Sequence, residues 1–477
     1  TFSTFSELAS SNHAPRFQGG TGIVSTDAGS AYDWAYGIAI QPDGKYLVTG
    51  ASDVGGYSDF TLLRYHGDGS LDRGFDGDGQ VTTALGSAYD SSYAVAVQPD
   101  GKIVVGGYSS QNVTASDFAL VRYRSDGSLD TSFSGDGKVT TDIGHYWDQA
   151  YSLALQADGA ILLAGFSSGS SSSDSDFALL RYTGEGSLDA SFDGDGKVVS
   201  SAGYRMEALQ SVTVQPDGKI IAAGFADNSD GLARGRDLVL LRYNRNGSLD
   251  SGFDGDGIVT ADFSKYDLAY SVALQSDGKI LLLGTSGDAF FLLRYHSDGS
   301  ADADFGNHGK VVSTLKPWGV GRYLALQSDG KILVTGGVYR SASGYDLALA
   351  RYHSDGSPDL GFGDQGMVVT AVSPSTDAGS SVIVQADGKI LVAGGKKSPD
   401  GTNSDFVLVR YHPDGRLDTS FSDHGLLRYQ TVKLGNALNF TIPADLFVDA
   451  DPGDTLDELH EVLDLLFQVG RQVLAPH

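Results

Sequence analysis

The chain has 477 residues, of which 40% are hydrophobic, 64 are glycine and none is cysteine, and it carries a formal net charge of −27. Without cysteine there are no disulfide staples, no thiolate catalysis and no thiolate metal site. The acidic balance argues against a nucleic-acid partner, which calls for a basic footprint, and no apolar run reaches the roughly 18 residues of a membrane-spanning helix.

Residues 1–16 are polar and unpatterned and are expected to be a flexible tail; they lack the basic-then-apolar order of a signal peptide. Phe17–Val24 (FQGGTGIV) reads as the end of a repeat unit, by comparison with FSGDGKV at Phe133–Val139. From there the chain cycles. Arg-Tyr pairs begin at Arg64, Arg122, Arg181, Arg242, Arg294, Arg351 and Arg410. Each Arg is followed eight residues later by Asp72, Asp130, Asp189, Asp250, Asp302, Asp359 or Asp418, and eleven residues later by a Phe, with no insertion or deletion inside that stretch.

One cycle holds an apolar run such as Tyr93–Gln98, an Asp-Gly turn at Asp100, the run Ile103–Gly107, a loop, the run Asp117–Tyr123, the Arg-to-Phe turn, and Lys138–Thr141. The runs are short, rich in β-branched and aromatic residues, and flanked by turn residues, so they predict strands. Ile280–Leu283 and Phe290–Leu293 are apolar at successive positions, which predicts sheets covered on both faces. Four such strands per cycle, repeated radially, predict an all-β, seven-bladed β-propeller of four-stranded antiparallel blades over residues 17–430. With the strands labelled a to d from the Tyr93 type onward, length variation concentrates in the b–c loop. The spacing from hairpin Asp to the next Arg runs from 17 to 25 residues. The face carrying the d–a and b–c loops is therefore the expected working face. Gly22–Thr26 or Gly425–Gln430 completes the last blade, and the N-terminal segment is the favoured clasp because it ties the two ends together.

Residues 431–477 change character. Asn436–Asp454, with Phe440, Pro443, Phe447, Asp449, Asp451 and Asp454, resembles the opening strand of a cadherin-like domain of bacterial surface proteins. Leu456–Leu474 has the apolar spacing of an amphipathic helix, a short C-terminal helical extension. The repeats themselves, with their QPDGKI and DFALxRYxxDGSLDxSF pattern, resemble the delta-60 repeat family. That resemblance implies a propeller-like domain of an exported bacterial protein, extracellular or at the cell surface, and brings no activity residue by residue.

Three sets of residues carry chemical content. The seven Arg–Asp pairs are expected to seat charge-assisted contacts in the c–d turns; seven identical copies point to structure, since a catalytic site needs one. Asp33, Asp90, Asp148, Glu207, Asp267 and Asp377 hold one position ahead of strand a, where a ring at the channel mouth could bind Ca²⁺. The competing reading is that each carboxylate caps its own turn. Beside them Tyr32, Trp34, Tyr89, Trp147, Tyr266 and Trp318 offer aromatic faces for a sugar ligand. Finally, Gly165–Gly169 matches the G-x-S-x-G pattern, so Ser167 with His145 and Asp148 makes a candidate triad, although the motif needs a strand–turn–helix elbow. His66, His296, His353 and His412 read as surface positions. Repeat 3 (His145, Trp147, Ser167) and repeat 6 (Lys316, Trp318, Arg322) deviate most from the others.

The expected function is a non-catalytic binding or scaffold module, monomeric, presenting acidic and aromatic loops to a polysaccharide or cell-surface ligand, with Ca²⁺ as a possible cofactor. The alternative is a glycoside or ester hydrolase working at the channel mouth.

Overall fold

The strand-forming runs assemble into seven separate sheets, each of four antiparallel strands in sequential order except the last. The computed structural model describes residues 21–422 apart from residues 29–31, 55, 113–114, 145, 170–173, 228–234, 264–266, 287–288, 314–317 and 341–343. Blade 2 is representative, with strand a at Asp90–Val97, b at Ile103–Asn112, c at Ala115–Tyr123 and d at Lys138–Thr141. The a strands of neighbouring blades touch one another all the way round, blade 7 returning to blade 1, so they form the innermost ring of a seven-bladed propeller. Among the described residues there is no helix.

Strands b and c carry continuous apolar runs because each sheet is covered on both faces. The cores accordingly lie between blades. Leu162, Phe177 and Leu179 of blade 3 pack on Leu209, Ala222 and Val239 of blade 4, all fully buried. The ring closes as the N-terminal segment anticipates. Ile23–Thr26 pairs antiparallel with Phe406–Val409 and becomes strand d of blade 7. The tail at 1–16, the alternative clasp at Gly425–Gln430, the cadherin-like segment and the amphipathic helix lie outside the described residues.

The conserved spacing of the Arg-to-Phe turn has a geometric cause. Arg122 Nε donates to Asp130 Oδ2 at 2.8 Å, and its guanidinium lies 4.5 Å above the Phe133 ring. The Arg122 Nη1 group reaches forward to the Gly184 carbonyl of blade 3. The adjacent Tyr123 hydroxyl reaches back to Thr83 Oγ1 of blade 1 at 2.7 Å. One dipeptide thus binds three blades. The same forward contacts recur to Arg410, whose Nη1 donates to the Gly67 carbonyl of blade 1. Six of the seven aspartates also receive a lysine from the a–b hairpin, Lys102 to Asp130 at 3.3 Å and Lys279 to Asp302 at 2.9 Å among them; in blade 3 that position is Ala160, and Arg181 is the one described cation on Asp189, beside hydrogen bonds from Ser191.

Strand a departs from expectation. It starts at the acidic residue, Asp90, three residues before Tyr93, because Asp90, Ser91 and Ser92 pair with Ser109, Tyr108 and Gly107 before the register slips. A single residue, Tyr93, is left over between Ser92 and Ala94. That is a β-bulge, which frees its residue from the ladder and re-aims its side chain.

Candidate functional site

The same bulge recurs in every a strand. The extra residues are Tyr36, Tyr93, Tyr151, Gln210, Tyr270, Arg322 and Ser380. Their side chains meet across blades. The Tyr36 and Tyr93 rings stack with centroids 4.6 Å apart, and Tyr93 meets Tyr151 edge-on at 5.2 Å. The Arg322 guanidinium lies 5.9 Å from the Tyr270 ring. These contacts run between the innermost strands of neighbouring blades, around the propeller axis. Burial, then the neighbouring Tyr32 and Tyr108, push the Tyr36 hydroxyl up to about 12, so it is a neutral donor and acceptor at ordinary pH. On one side of this cluster a cavity of about 550 Å³ opens between blades 3, 4 and 5, lined among others by Trp147, Tyr151, Gln210, Phe225, Arg236 and Tyr270. Arg236 covers the Phe225 ring at 4.5 Å.

The six carboxylates that open or adjoin strand a are fully buried and turn toward their own d–a loops. Asp90 Oδ2 accepts the Leu85 and Gly86 N–H groups at 2.7 and 3.0 Å, and Asp377 Oδ2 those of Val372 and Ser373 at 2.8 Å each. Asp33 accepts from Ala28, Asp148 from Ile143 and Gly144, Glu207 from Ala202 and Tyr204, and Asp267 from Phe263. Burial raises the Glu207 and Asp377 carboxyls above the usual range even against these hydrogen bonds.

The aromatic candidates scatter. Tyr32 and Tyr89 are 49% and 47% exposed, and Tyr89 packs edge-on against Tyr57. Trp34 lies in strand a of blade 1 and its indole N–H donates to Ser380 Oγ at 3.1 Å, beside the axis. Trp147 lines the cavity. Trp318 begins strand a of blade 6, and Tyr266 and His145 lie outside the described residues. Ser167 is buried at the end of strand b of blade 3, laddered to Asp148 on one side and Asp176 on the other. Its setting is a regular strand rather than the strand–turn–helix elbow that exposes a hydrolase nucleophile. The four histidines sit over the turn carboxylates, as His66 Nε2 does 3.5 Å from Asp72.

Sequence reasoning passed over the bulge positions. Tyr36, Tyr93, Tyr151 and Tyr270 each follow the strand-a carboxylate by three residues, a recurrence visible in the sequence. Its meaning depends on the bulge, which period-2 patterning does not reveal.

Among curated proteins no sequence matches. Solved structures with a similar outline include the extracellular domain of BT4673 from B. thetaiotaomicron, at 14% identity and a TM-score of 0.43, the match covering 82% of this chain and 39% of that one. A catalytically inactive virginiamycin B lyase from Staphylococcus aureus matches at 9% identity and a TM-score of 0.46, over 81% of this chain and 98% of that one. A mutant puromycin hydrolase matches at 14% identity and a TM-score of 0.49, over 83% of this chain and 54% of that one. The sequence repeats have a sharper counterpart. Residues 41–75, 98–133, 156–192, 215–253, 275–305, 327–362 and 385–421 each match one family profile, together more than half of the chain. Every matched segment runs from the glutamine after strand a to the phenylalanine of the Arg-to-Phe turn. It therefore takes in the inter-blade fastening and leaves out the axial bulge. On those seven segments the chain belongs to the family described as "Domain of unknown function (DUF5122) beta-propeller".

Proposed function

We propose that this propeller is a non-catalytic binding module of an exported bacterial protein, and that it takes a carbohydrate chain at the aromatic cluster on its axis. The observation that carries the reading is the set of seven bulged residues, in which four tyrosines are interrupted by Gln210, Arg322 and Ser380. The scaffold contacts repeat with near sevenfold regularity; these positions do not, and a ligand site needs such exceptions. Aromatic faces suit the C–H faces of a sugar ring, while amide, guanidinium and hydroxyl groups suit its hydroxyls. The cavity beside them falls in the usual range for ligand sites. A non-catalytic role fits the carboxylates, which are engaged by backbone N–H groups of their own loops rather than paired as acid and base. Export rests on the resemblance of the repeats to the delta-60 family.

The test is an oligosaccharide array followed by calorimetric titration of the best hit. Tyr151→Ala and Tyr270→Ala should each weaken binding at least tenfold while shifting the melting temperature by only a few degrees. An array without hits, or a hit whose affinity ignores both substitutions, overturns the reading.

A further inference from the structure

The d–a crossing from blade 2 to blade 3 brings together three carboxylates that the axial site does not use. Asp117 lies in strand c of blade 2, Asp142 directly follows strand d of blade 2, and Asp148 opens strand a of blade 3. Backbone pairing dictates their meeting. Phe118 pairs with Thr141, which sets Asp117 beside Asp142 at the ends of their strands. Ser116 bridges Trp147, which sets Asp117 beside Asp148. One carboxylate oxygen from each of the three lies within 4.8 Å of the others, the one such group among the described residues.

A second observation points to a ligand. Asp148 is fully buried, and its Oδ2 takes the Ile143 and Gly144 N–H groups at 2.6 and 2.9 Å. Its Oδ1 is buried with no hydrogen-bond partner, the one such carboxylate oxygen among the described residues. An unsatisfied buried acceptor is costly.

Two other crossings carry three acids at the same positions, and all three crossings have a lysine nearby. Asp405, Asp27 and Asp33 have Lys396 at 3.1 Å from Asp405, and Asp237, Asp262 and Asp267 have Lys310 in the field of Asp267. At the blade 2–3 crossing neither Asp117 nor Asp148 is in a described ion pair. Lys197, which holds in blade 3 the place of Lys310 in blade 5, donates to the Asp142 backbone carbonyl at 2.9 Å.

We infer that Asp117, Asp142 and Asp148 form a binding site for a single hard divalent cation, Ca²⁺ by preference. Ca²⁺ takes oxygen ligands at about 2.3–2.6 Å, so two oxygens on one ion lie at most about 5 Å apart. The observed limit of 4.8 Å meets that condition. An all-oxygen set disfavours Zn²⁺ and softer metals, and Ca²⁺ tolerates the irregular geometry and added waters that three carboxylates leave room for better than Mg²⁺ does. Asp142 is exposed and gives the ion its entrance, while Asp148 fixes the inner end. The bound ion would then pin the strand ends of blade 2 to strand a of blade 3, beside Trp147 at the cavity rim.

The experiment is calorimetric titration of the full chain, stripped with chelator, with CaCl₂ and in parallel with MgCl₂. One Ca²⁺ per chain is expected, bound at least tenfold more tightly than Mg²⁺. Asp142→Asn, at an exposed position, should weaken Ca²⁺ at least tenfold. Asp117→Asn should do the same, and Asp27→Asn, at the corresponding place between blades 7 and 1, should leave Ca²⁺ binding as it was. Absence of saturable binding up to millimolar Ca²⁺ overturns the inference, as does wild-type Ca²⁺ affinity in both Asp117→Asn and Asp142→Asn.

Discussion

Arginine, aspartate, lysine and phenylalanine meet at every c–d turn, and the outcome is set by which interaction wins at the carboxylate. Burial alone would raise the Asp130 carboxyl. The hydrogen bonds from Ser132, together with Lys102 and Arg122, overcome it and hold the group at about 2; at Asp302 the same contest, with Lys279, Asp304 N–H and Arg294, also ends at about 2. Asp72, Asp189, Asp250, Asp359 and Asp418 are lowered as well. A carboxyl whose folded value lies below its unfolded value near 4 contributes stability that is fully present above about pH 4 and is lost as pH falls toward 2. Glu207 and Asp377, raised by burial, contribute with the opposite sign: they favour the fold more as pH falls through their folded values. The lowered set spans all seven blades, so it should dominate. The melting temperature should stay nearly flat from pH 7 to 5 and drop steeply between pH 4 and 2. Asp302→Asn should melt lower at pH 7 and show a shallower acid drop, and parallel curves for the two proteins would assign the acid sensitivity elsewhere.

The elements were legible to different degrees, and the reason is burial. Strands b and c announce themselves because both faces are covered and nearly every residue is apolar, as in Ile280–Leu283 and Phe290–Leu293. Strand a does not, because the bulge at Tyr93 or Tyr151 reverses the inward–outward alternation halfway along, so only its second half was read as a strand. The carboxylates were legible as a regular set, yet their direction was not: whether Asp90 faces a channel or its own loop is decided by how the d–a loop folds over it. That Asp117 and Asp148 lie on one face follows from the repeat, but that these two meet depends on pairing between blades, which the sequence does not show. The turn between c and d shows most plainly how an element serves the next one. Gly186 has φ +89°, and a Cβ there would fall 2.9 Å from the Phe133 ring of the preceding blade. Gly194, in the same blade, has φ +91° with nothing within 4 Å of that point. Both Gly→Ala substitutions incur the conformational cost of a positive φ, about 1–2 kcal/mol, while Gly186→Ala adds overpacking of about 1–3 kcal/mol. Denaturant unfolding should therefore find Gly186→Ala the more destabilised, and equal losses would mean that the glycine–phenylalanine contact between blades contributes nothing.

For the molecule as a whole the decisive fact is that the chain bites its own tail. Strand pairing joins Ile23–Thr26 to blade 7, the Ser422 N–H donates to the Asp68 carbonyl at 2.8 Å, and Arg410 reaches the Gly67 carbonyl. An open stack of repeats frays from its ends because terminal units have one neighbour. In a closed ring every blade has two, and opening any one exposes two apolar interfaces such as that between blades 3 and 4. Cooperativity should therefore depend on the clasp more than on any single blade. Deleting residues 1–26 removes the fourth strand of blade 7 and the Thr26 partner of Tyr65, while Arg410 and Ser422 keep their contacts to blade 1. The melting temperature should fall by several degrees, and hydrogen exchange should change character. In the intact chain the b and c strands of all seven blades should exchange through one common opening; in the deletion variant, Ile390–Lys397 and Ser404–Tyr411 of blade 7 and Tyr46–Val54 of blade 1 should lose protection ahead of Ile220–Asp227, on the far side of the ring. Uniform loss of protection across all blades would show instead that the arginine belt closes the ring without the clasp.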